Sequence, residues 1–421
     1  MQNMYHKLRY LTALSLAVFT PAAFALTVPS DGSDGALNIT GDTVIDLSQA
    51  VTGSWTNNNA ANAGKGIYDP EKWAIVFKYS SVNIPAQFFT NGTLIGNKIT
   101  FINHPSHAPV VWIVQGNVTI DGIVSLDAQP GTREIPQAYT PPEPGPGGYR
   151  GGAFSPLGMG AGYGWAGSGF YPHPIVYGGY NGLYGNPQIV PLIGGSGAGA
   201  YSGPDGLNSG GAGGGAILIV AGGTVVVNGS ISVKGWGRFF YPHINGSASG
   251  AVKIIANRIE GVGTIDASGP NPAGDNPAQG TEGRTRMETT YLAPTLNIFP
   301  NAVAVAPGAT PTLWPATNAP TVRVHSVVTA NSTNSAPLDP YAAVAGTSDI
   351  AIQSNDAAII YLETQNLPIQ GTVSLRITPK YGNYTQVNAT YVSGNILQAL
   401  WQVTATLPQG YCTLQARATS P

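Results

Sequence analysis

"TIDGIVSLDA", residues 119–128, carries a pattern that returns as "VNGSISVKG" at 227–235 and "IEGVGTIDA" at 259–267. Successive side chains of a strand point to opposite faces, so these stretches can be compared by parity. In the first, Ile120, Gly122, Val124, Leu126 and Ala128 share one face, opposite Asp121, Ser125 and Asp127. In the second, Val227, Gly229, Ile231, Val233 and Gly235 lie opposite Asn228, Ser230, Ser232 and Lys234. In the third, Ile259, Gly261, Gly263, Ile265 and Ala267 lie opposite Glu260, Thr264 and Asp266. A weaker fourth copy, "ITGDTVIDL" at 39–47, places Ile39, Gly41, Ile45 and Leu47 on the apolar side and Asp46 on the polar side. Aligned on Gly41, Gly122, Gly229 and Gly261, the copies put Asp127, Lys234 and Asp266 at one position.

Three of the copies follow another apolar run: "VVWIV" at 110–114, "AILIV" at 216–220 and "AVKII" at 251–255. Short strands joined at glycine corners, each unable to bury its inner face alone, are what a stacked coil of parallel strands requires. Glycine suits such corners because they need positive φ or leave no room for a side chain. Burying each inward Ile, Val or Leu contributes about 1.5 to 3 kcal/mol, which makes stacking the main stabilising effect. The expected fold is therefore all-β: an irregular parallel β-helix, or β-solenoid, over residues 26–291. The central glycines lie 81, 107 and 32 residues apart, so insertions must loop out between copies.

The largest insertion, about 131–215, is rich in Gly and aromatics, and that Gly content argues against helix. It is expected to lie at least partly ordered on the coil, since disordered linkers are poor in aromatics. Between 292 and 320 Pro recurs at 294, 300, 307, 311, 315 and 320, the pattern of a connector. Residues 321–421 then alternate as short strands such as "TVRVHSV", "TVSLRITP" and "NILQALWQVTAT", spaced as in an Ig-like β-sandwich. Leu397, Ala399, Trp401, Val403 and Ala405 share a face, which places Trp401 in that core. Cys412 is the single cysteine, so no intrachain disulfide can form, and the parity of its strand points to a buried, inert thiol.

Residues 1–25 have the layout of a secretory signal: Lys7 and Arg9, the apolar run Leu11 to Phe19, and Ala23 and Ala25 before the cleavage site. The apolar run is too short to span a bilayer, and no other transmembrane segment is expected in the mature chain. The expected location is the cell surface, the periplasm or the medium. The chain holds 18 Lys and Arg against 20 Asp and Glu, with two of those bases in the leader, so no basic face is expected for nucleic acid.

The stretches "PSDGSDGALNIT" (29–40), "YDPEKWAIVFKYSSVNI" (68–84), "NHPSHAPVVWIV" (103–114), "GPGGYRGG" (145–152), "YGNPQIVPLIGGSGAG" (184–199), "GGGAILIVA" (213–221) and "GAVKIIANRIEGVGTIDASG" (250–269) resemble a group of uncharacterised Gly-rich secreted bacterial proteins. The resemblance runs through both expected domains. It implies an exported, Gly-rich, β-helical protein, and it brings no activity or catalytic residue.

Asp127 and Asp266 are the carboxylates a β-helical polysaccharide lyase or glycoside hydrolase would use as acid and base. Because Lys234 holds the same place in the repeat, the favoured reading is charge compensation along a stacked scaffold. "DGSDG" at 31–35, with Asp266, Asp275 and Asn276, offers oxygen ligands for calcium-stabilised assembly, but the spacing fits no EF-hand and Asp-Gly turns explain it. His104 and His107 lack a third ligand, so no metal and no cofactor is expected. "GSGAGA" at 195–200 lacks the helix a dinucleotide fingerprint needs, and the G-x-S-x-G and H-E-x-x-H motifs are absent. The best binding candidates are aromatics of the insertion, Tyr149, Trp165, Tyr171, Tyr177, Tyr180 and Tyr184, together with Tyr163 and Tyr201. Such rings suit stacking on sugars or on another protein. The expectation is a non-enzymatic structural or adhesive protein whose partners are polysaccharide or other surface proteins.

Overall fold

The computed structural model describes residues 26–419, with 160–186, 270–281, 336–356 and a number of shorter stretches outside the described set. The expected leader therefore lies outside it. The protein is all-β, and the one helical element among the described residues is the 3-10 turn Leu47–Gln49.

Parallel sheets dominate residues 35–305. In the larger sheet, Ala74–Ile84, Val110–Val114, Ala216–Ala221, Ala251–Ile255 and Arg284–Glu288 pair side by side. Their register lines up Phe77, Trp112, Ile219, Ile254 and Met287. Further along the same sheet a second row joins Val82, Val118, Val225, Ile259 and Leu292. A six-stranded parallel sheet supplies a third row: Thr43, Ile99, Val124, Ile231, Ile265 and Ile298. The aliphatics of all three rows enter one core, in which most are fully buried. Apolar burial on this scale is the leading stabilising contribution.

Glycine corners set this register. Gly122, Gly229 and Gly263 follow one another up the stack, and a Cβ on any of them would meet a backbone carbonyl of the strand below (Asn97, Gly122 and Gly229 in turn) closer than 3.0 Å. Ile120 faces Val227, as the repeat requires. The third copy is offset by two residues from its expected alignment: Ile259 faces Val225, and Asp266 faces Ser232 instead of Lys234. "GVG" offers two glycines of equal parity, and it is Gly263 that takes the corner equivalent to Gly229. The fourth copy aligns as expected, Thr43 reaching Val124 through Ile99, but Lys98–Ile102 intervenes as an unrecognised member. Its corner is held by buried Asn97, whose Nδ2 donates to the Ala86 carbonyl at 3.0 Å.

The long strands are buried on both faces, as parallel strands usually are. Their second face, with Val76, Val111, Ile113, Leu218, Val220 and Ile255, is covered by Leu26, Leu192 and Leu313. The Thr27 amide donates to the Ala309 carbonyl at 3.0 Å, and Trp55 lies 5.7 Å from Trp314. Two lysines are buried beneath this cover: Lys78 pairs with Asp31 at 2.9 Å, and Lys253 with Glu288 at 3.3 Å and the Thr312 carbonyl at 3.1 Å. The stretch 292–320, expected as a connector, thus contributes Asn297–Phe299 and Ala304–Val305 to the sheets and Leu313 to their cover. Its prolines fall between strands too short to be interrupted by them.

Within the Gly-rich insertion, residues 143–151, 187–197 and 211–215 are described, and its centre lies outside the described residues. Segments near 145–149, 194–197 and 211–215 hydrogen-bond to one another: Gly194 to Gly147 at 2.8 Å, Tyr149 to Gly195 at 2.9 Å, Gly195 to Gly214 at 2.7 Å and Gly213 to the Tyr149 carbonyl at 2.8 Å. These glycines are a packing requirement, because neighbouring backbone fills the space where side chains would stand.

Residues 321–419 form a five-stranded and a three-stranded antiparallel sheet around a shared core. Trp401 lies in it, as expected, its Nε1 donating to Thr364 Oγ1 at 2.9 Å. Leu397 does not share that face; it is 68% exposed in the turn made by Asn395, before the strand begins at Ala399. Leu414, Ala416 and Ala418 pack on the core, while the side chain of Cys412 lies outside the described set.

Replacing Gly229 with Ala should cost about 3 kcal/mol or more, since the clash is with backbone. Gly41→Ala, with open space around its Cβ position, should stay within about 0.5 kcal/mol of wild type in urea unfolding.

Candidate functional site

The carboxylates singled out by the repeat come together on the outer side of the six-stranded sheet. Asp127 Oδ1 accepts from Ser232 Oγ at 2.6 Å and from the Lys234 amide at 2.6 Å, and Oδ2 accepts from Ser125 Oγ at 3.1 Å. Asp266 pairs with Lys234 Nζ at 2.6 Å through Oδ2, and its Oδ1 accepts the Ser268 amide at 3.0 Å and hydroxyl at 2.5 Å. Lys234 therefore does stand between the two aspartates. Its backbone serves one and its ammonium the other, a diagonal pairing produced by the two-residue offset. Burial works to raise the Asp266 carboxyl, but the Lys234 ammonium and Ser268 outweigh it and hold the group below the usual carboxylate range. A general acid for glycosidic cleavage needs the opposite shift.

The calcium candidates are likewise engaged by the protein. Asp31 accepts from Lys78 Nζ and from the Ser33 amide, and Asp34 accepts the Lys78 amide at 2.7 Å and the Gly64 amide at 3.0 Å. Among the described residues no group of three or more His, Cys, Asp or Glu is placed to hold a metal ion. Asp275 and Asn276 lie outside the described set.

Of the aromatics expected to bind, Trp165, Tyr171, Tyr177, Tyr180 and Tyr184 lie outside the described residues, as does Tyr163, and nothing is described of the Tyr201 side chain. Tyr149 joins a cluster that the sequence did not reveal. Its ring stacks on Trp73 at 6.4 Å with 26° between the planes, and burial pushes its phenol up. Tyr68 and His104 form a second pair 4.3 Å apart at 33°. Burial pushes the His104 ring below its ordinary value, so it is neutral at pH 7. All four residues are intermediate in exposure, and Tyr68 and Trp73 pack against the main core.

Two local devices hold this shelf. Buried Asp69 accepts the Glu71 and Lys72 amides through Oδ1, at 2.9 and 3.2 Å, and the Trp55 amide through Oδ2 at 2.9 Å. This fixes the turn that ends at Trp73, whose Nε1 donates to the Ser106 carbonyl at 2.9 Å. In the "NHPSH" loop, His104 Nδ1 contacts Ser106 Oγ at 2.8 Å and accepts the Ser106 amide at 3.1 Å. Asn103 donates to Glu143 at 2.7 Å, His107 Nδ1 lies 3.5 Å from the same carboxylate, and the Gly147 amide donates to the His107 carbonyl at 2.7 Å. Trp73 and His107 both adopt left-handed backbone, at φ 46° and 50°. A bulky residue such as Trp73 is strained in this region, whereas His adopts it more readily.

Comparison with protein-family models, curated proteins and solved structures yields no match for this chain. Three of the rings come from segments separated by more than thirty residues, Tyr68, His104 and Tyr149, and no spacing rule in the sequence joins them. The signals that were available are the two histidines around Pro105 and the Trp beside a turn.

Because its folded-state value is depressed, Asp266 adds stability that is present above the unfolded value of 3.8 and is lost as pH falls through the lower folded value. Lys234→Met should abolish much of that dependence. Its melting temperature should fall less steeply than that of wild type between about pH 5 and pH 2, as followed by circular dichroism.

Proposed function

We propose that the chain is an exported, non-enzymatic structural or adhesive protein of the cell surface or matrix that binds polysaccharide through aromatic side chains in and beside the Gly-rich insertion. In this reading residues 26–305 wind as an irregular parallel β-helix and 321–419 fold as a β-sandwich, in keeping with the Gly-rich secreted bacterial proteins the sequence resembles. The observation that carries it is the state of the two candidate carboxylates. Asp127 has three donors within the scaffold, and Asp266 is bound to Lys234 and Ser268. Both act as rivets between strands, and neither is left to transfer a proton. Support also comes from the sheet buried on both faces and the close glycine corners, which make a stiff body suited to presenting a surface. No helix of the described residues is long and apolar enough to cross a membrane.

Fractionation of the source cells, followed by a glycan array and a depolymerisation assay on the chain beginning at Leu26, tests this directly. The expected outcome is protein in the envelope or medium that retains a glycan without shortening it, with a melting temperature unchanged by chelator. Cleavage of any glycan that is lost in Asp127→Asn or Asp266→Asn would replace the proposal with a lyase or hydrolase.

A further inference from the structure

We propose that the shelf made by Tyr68, Trp73, His104 and Tyr149 is itself the glycan site and that it takes a neutral pyranose chain. This rests on the glycan-binding reading above and moves the site from the centre of the Gly-rich insertion to its base. Sugar rings carry an apolar face of axial C–H groups and a rim of hydroxyls. A site for them pairs partly exposed aromatic side chains with a few fixed polar groups. Both parts are present. In each pair the rings lie face to face, within about 33° of parallel, and the turn capped by Asp69 and the Ser106 loop hold them in place. A site ordered beforehand loses little entropy on binding.

The polar rim decides the class of sugar. Glu143 keeps 54% of its side chain in solvent, while its Oε1 is held by Asn103 at 2.7 Å and approached by His107 at 3.5 Å. This exposed carboxylate is the acceptor for sugar hydroxyls. A fixed carboxylate at this place favours hydroxyl donors and opposes uronate or sulfate groups, because like charges repel most where rings displace water. The left-handed backbone at Trp73 is strained for so bulky a residue, which fits a functional position.

Titration calorimetry with neutral hexose oligomers and uronate oligomers of equal length, on the chain beginning at Leu26, tests the proposal. Wild type should bind the neutral oligomers. Trp73→Leu and Tyr68→Leu should each weaken binding about tenfold, whereas Trp73→Phe, which restores a ring, should stay within about threefold of wild type. Glu143→Gln should weaken neutral binding and improve uronate binding. Melting temperatures identify any variant that fails to fold, and Tyr68→Leu serves if Trp73→Leu does. Unchanged affinity in both leucine variants would overturn the shelf while leaving glycan binding in place elsewhere on the chain. Absence of any oligomer binding by wild type would overturn both.

Discussion

At three successive corners between the two sheets, the carbonyl of one strand occupies the place where the Cβ of the next would stand. Gly122, Gly229 and Gly263 tolerate this and any larger residue would not. The close approach pins each strand to a single register, and register decides everything else. A slip of one residue would turn Ile120, Val124 and their partners outward and carry Asp121 and Ser125 into the core. At Gly122 and Gly229 a slip of two would leave the apolar face inward but remove glycine from beneath the carbonyl. The corners therefore exclude an alternative that hydrophobic burial alone would permit.

The same close packing explains the unusual composition. Only 9% of the chain is charged, yet Gly numbers 56. Much of the glycine is spent where backbone packs on backbone: at the corners, and in the layer that joins Gly147, Gly194, Gly195, Gly213 and Gly214. Several charges act as fasteners, two of them buried. Lys78 and Lys253 tie the covering segments to the sheet, and Lys234 links Asp127 to Asp266 across neighbouring strands. Burial favours the neutral form of Lys253, and the Glu288 carboxylate opposes that. Such pairs fix geometry more than they add stability.

Parity in the sequence was enough to assign the all-β class, the inward positions of Ile120, Val227 and Ile265, and the burial of Trp401. It could not choose between Gly261 and Gly263, because parity repeats every two residues and both glycines satisfy it. Lys98–Ile102 escaped notice because Asn97 holds its corner. The prolines between 292 and 320 resembled a linker because composition does not reveal pairing partners distant in sequence. The aromatic shelf was legible only in pieces. Tyr149 was singled out for its glycine-rich surroundings, whereas Tyr68, Trp73 and His104 are brought to it by sheet pairing and by the loop from Asn103 to Ala108. The Asp127, Lys234 and Asp266 set shows the reverse: its members were identified, and what remained hidden was which part of Lys234 meets which aspartate.

Engineered cross-linking across the longest sequence gap probes this stacking most directly. Thr119 and Val226 are partners in neighbouring parallel strands, 107 residues apart along the chain, and such partners lie about 4.8 Å apart, within reach of a disulfide. In a Cys412→Ser background, Thr119→Cys with Val226→Cys should oxidise rapidly and quantitatively in the folded protein. Thr119→Cys with Thr224→Cys, two residues out of register, should not. Equal oxidation of both pairs, or failure of the first, would contradict a register fixed by the glycine corners.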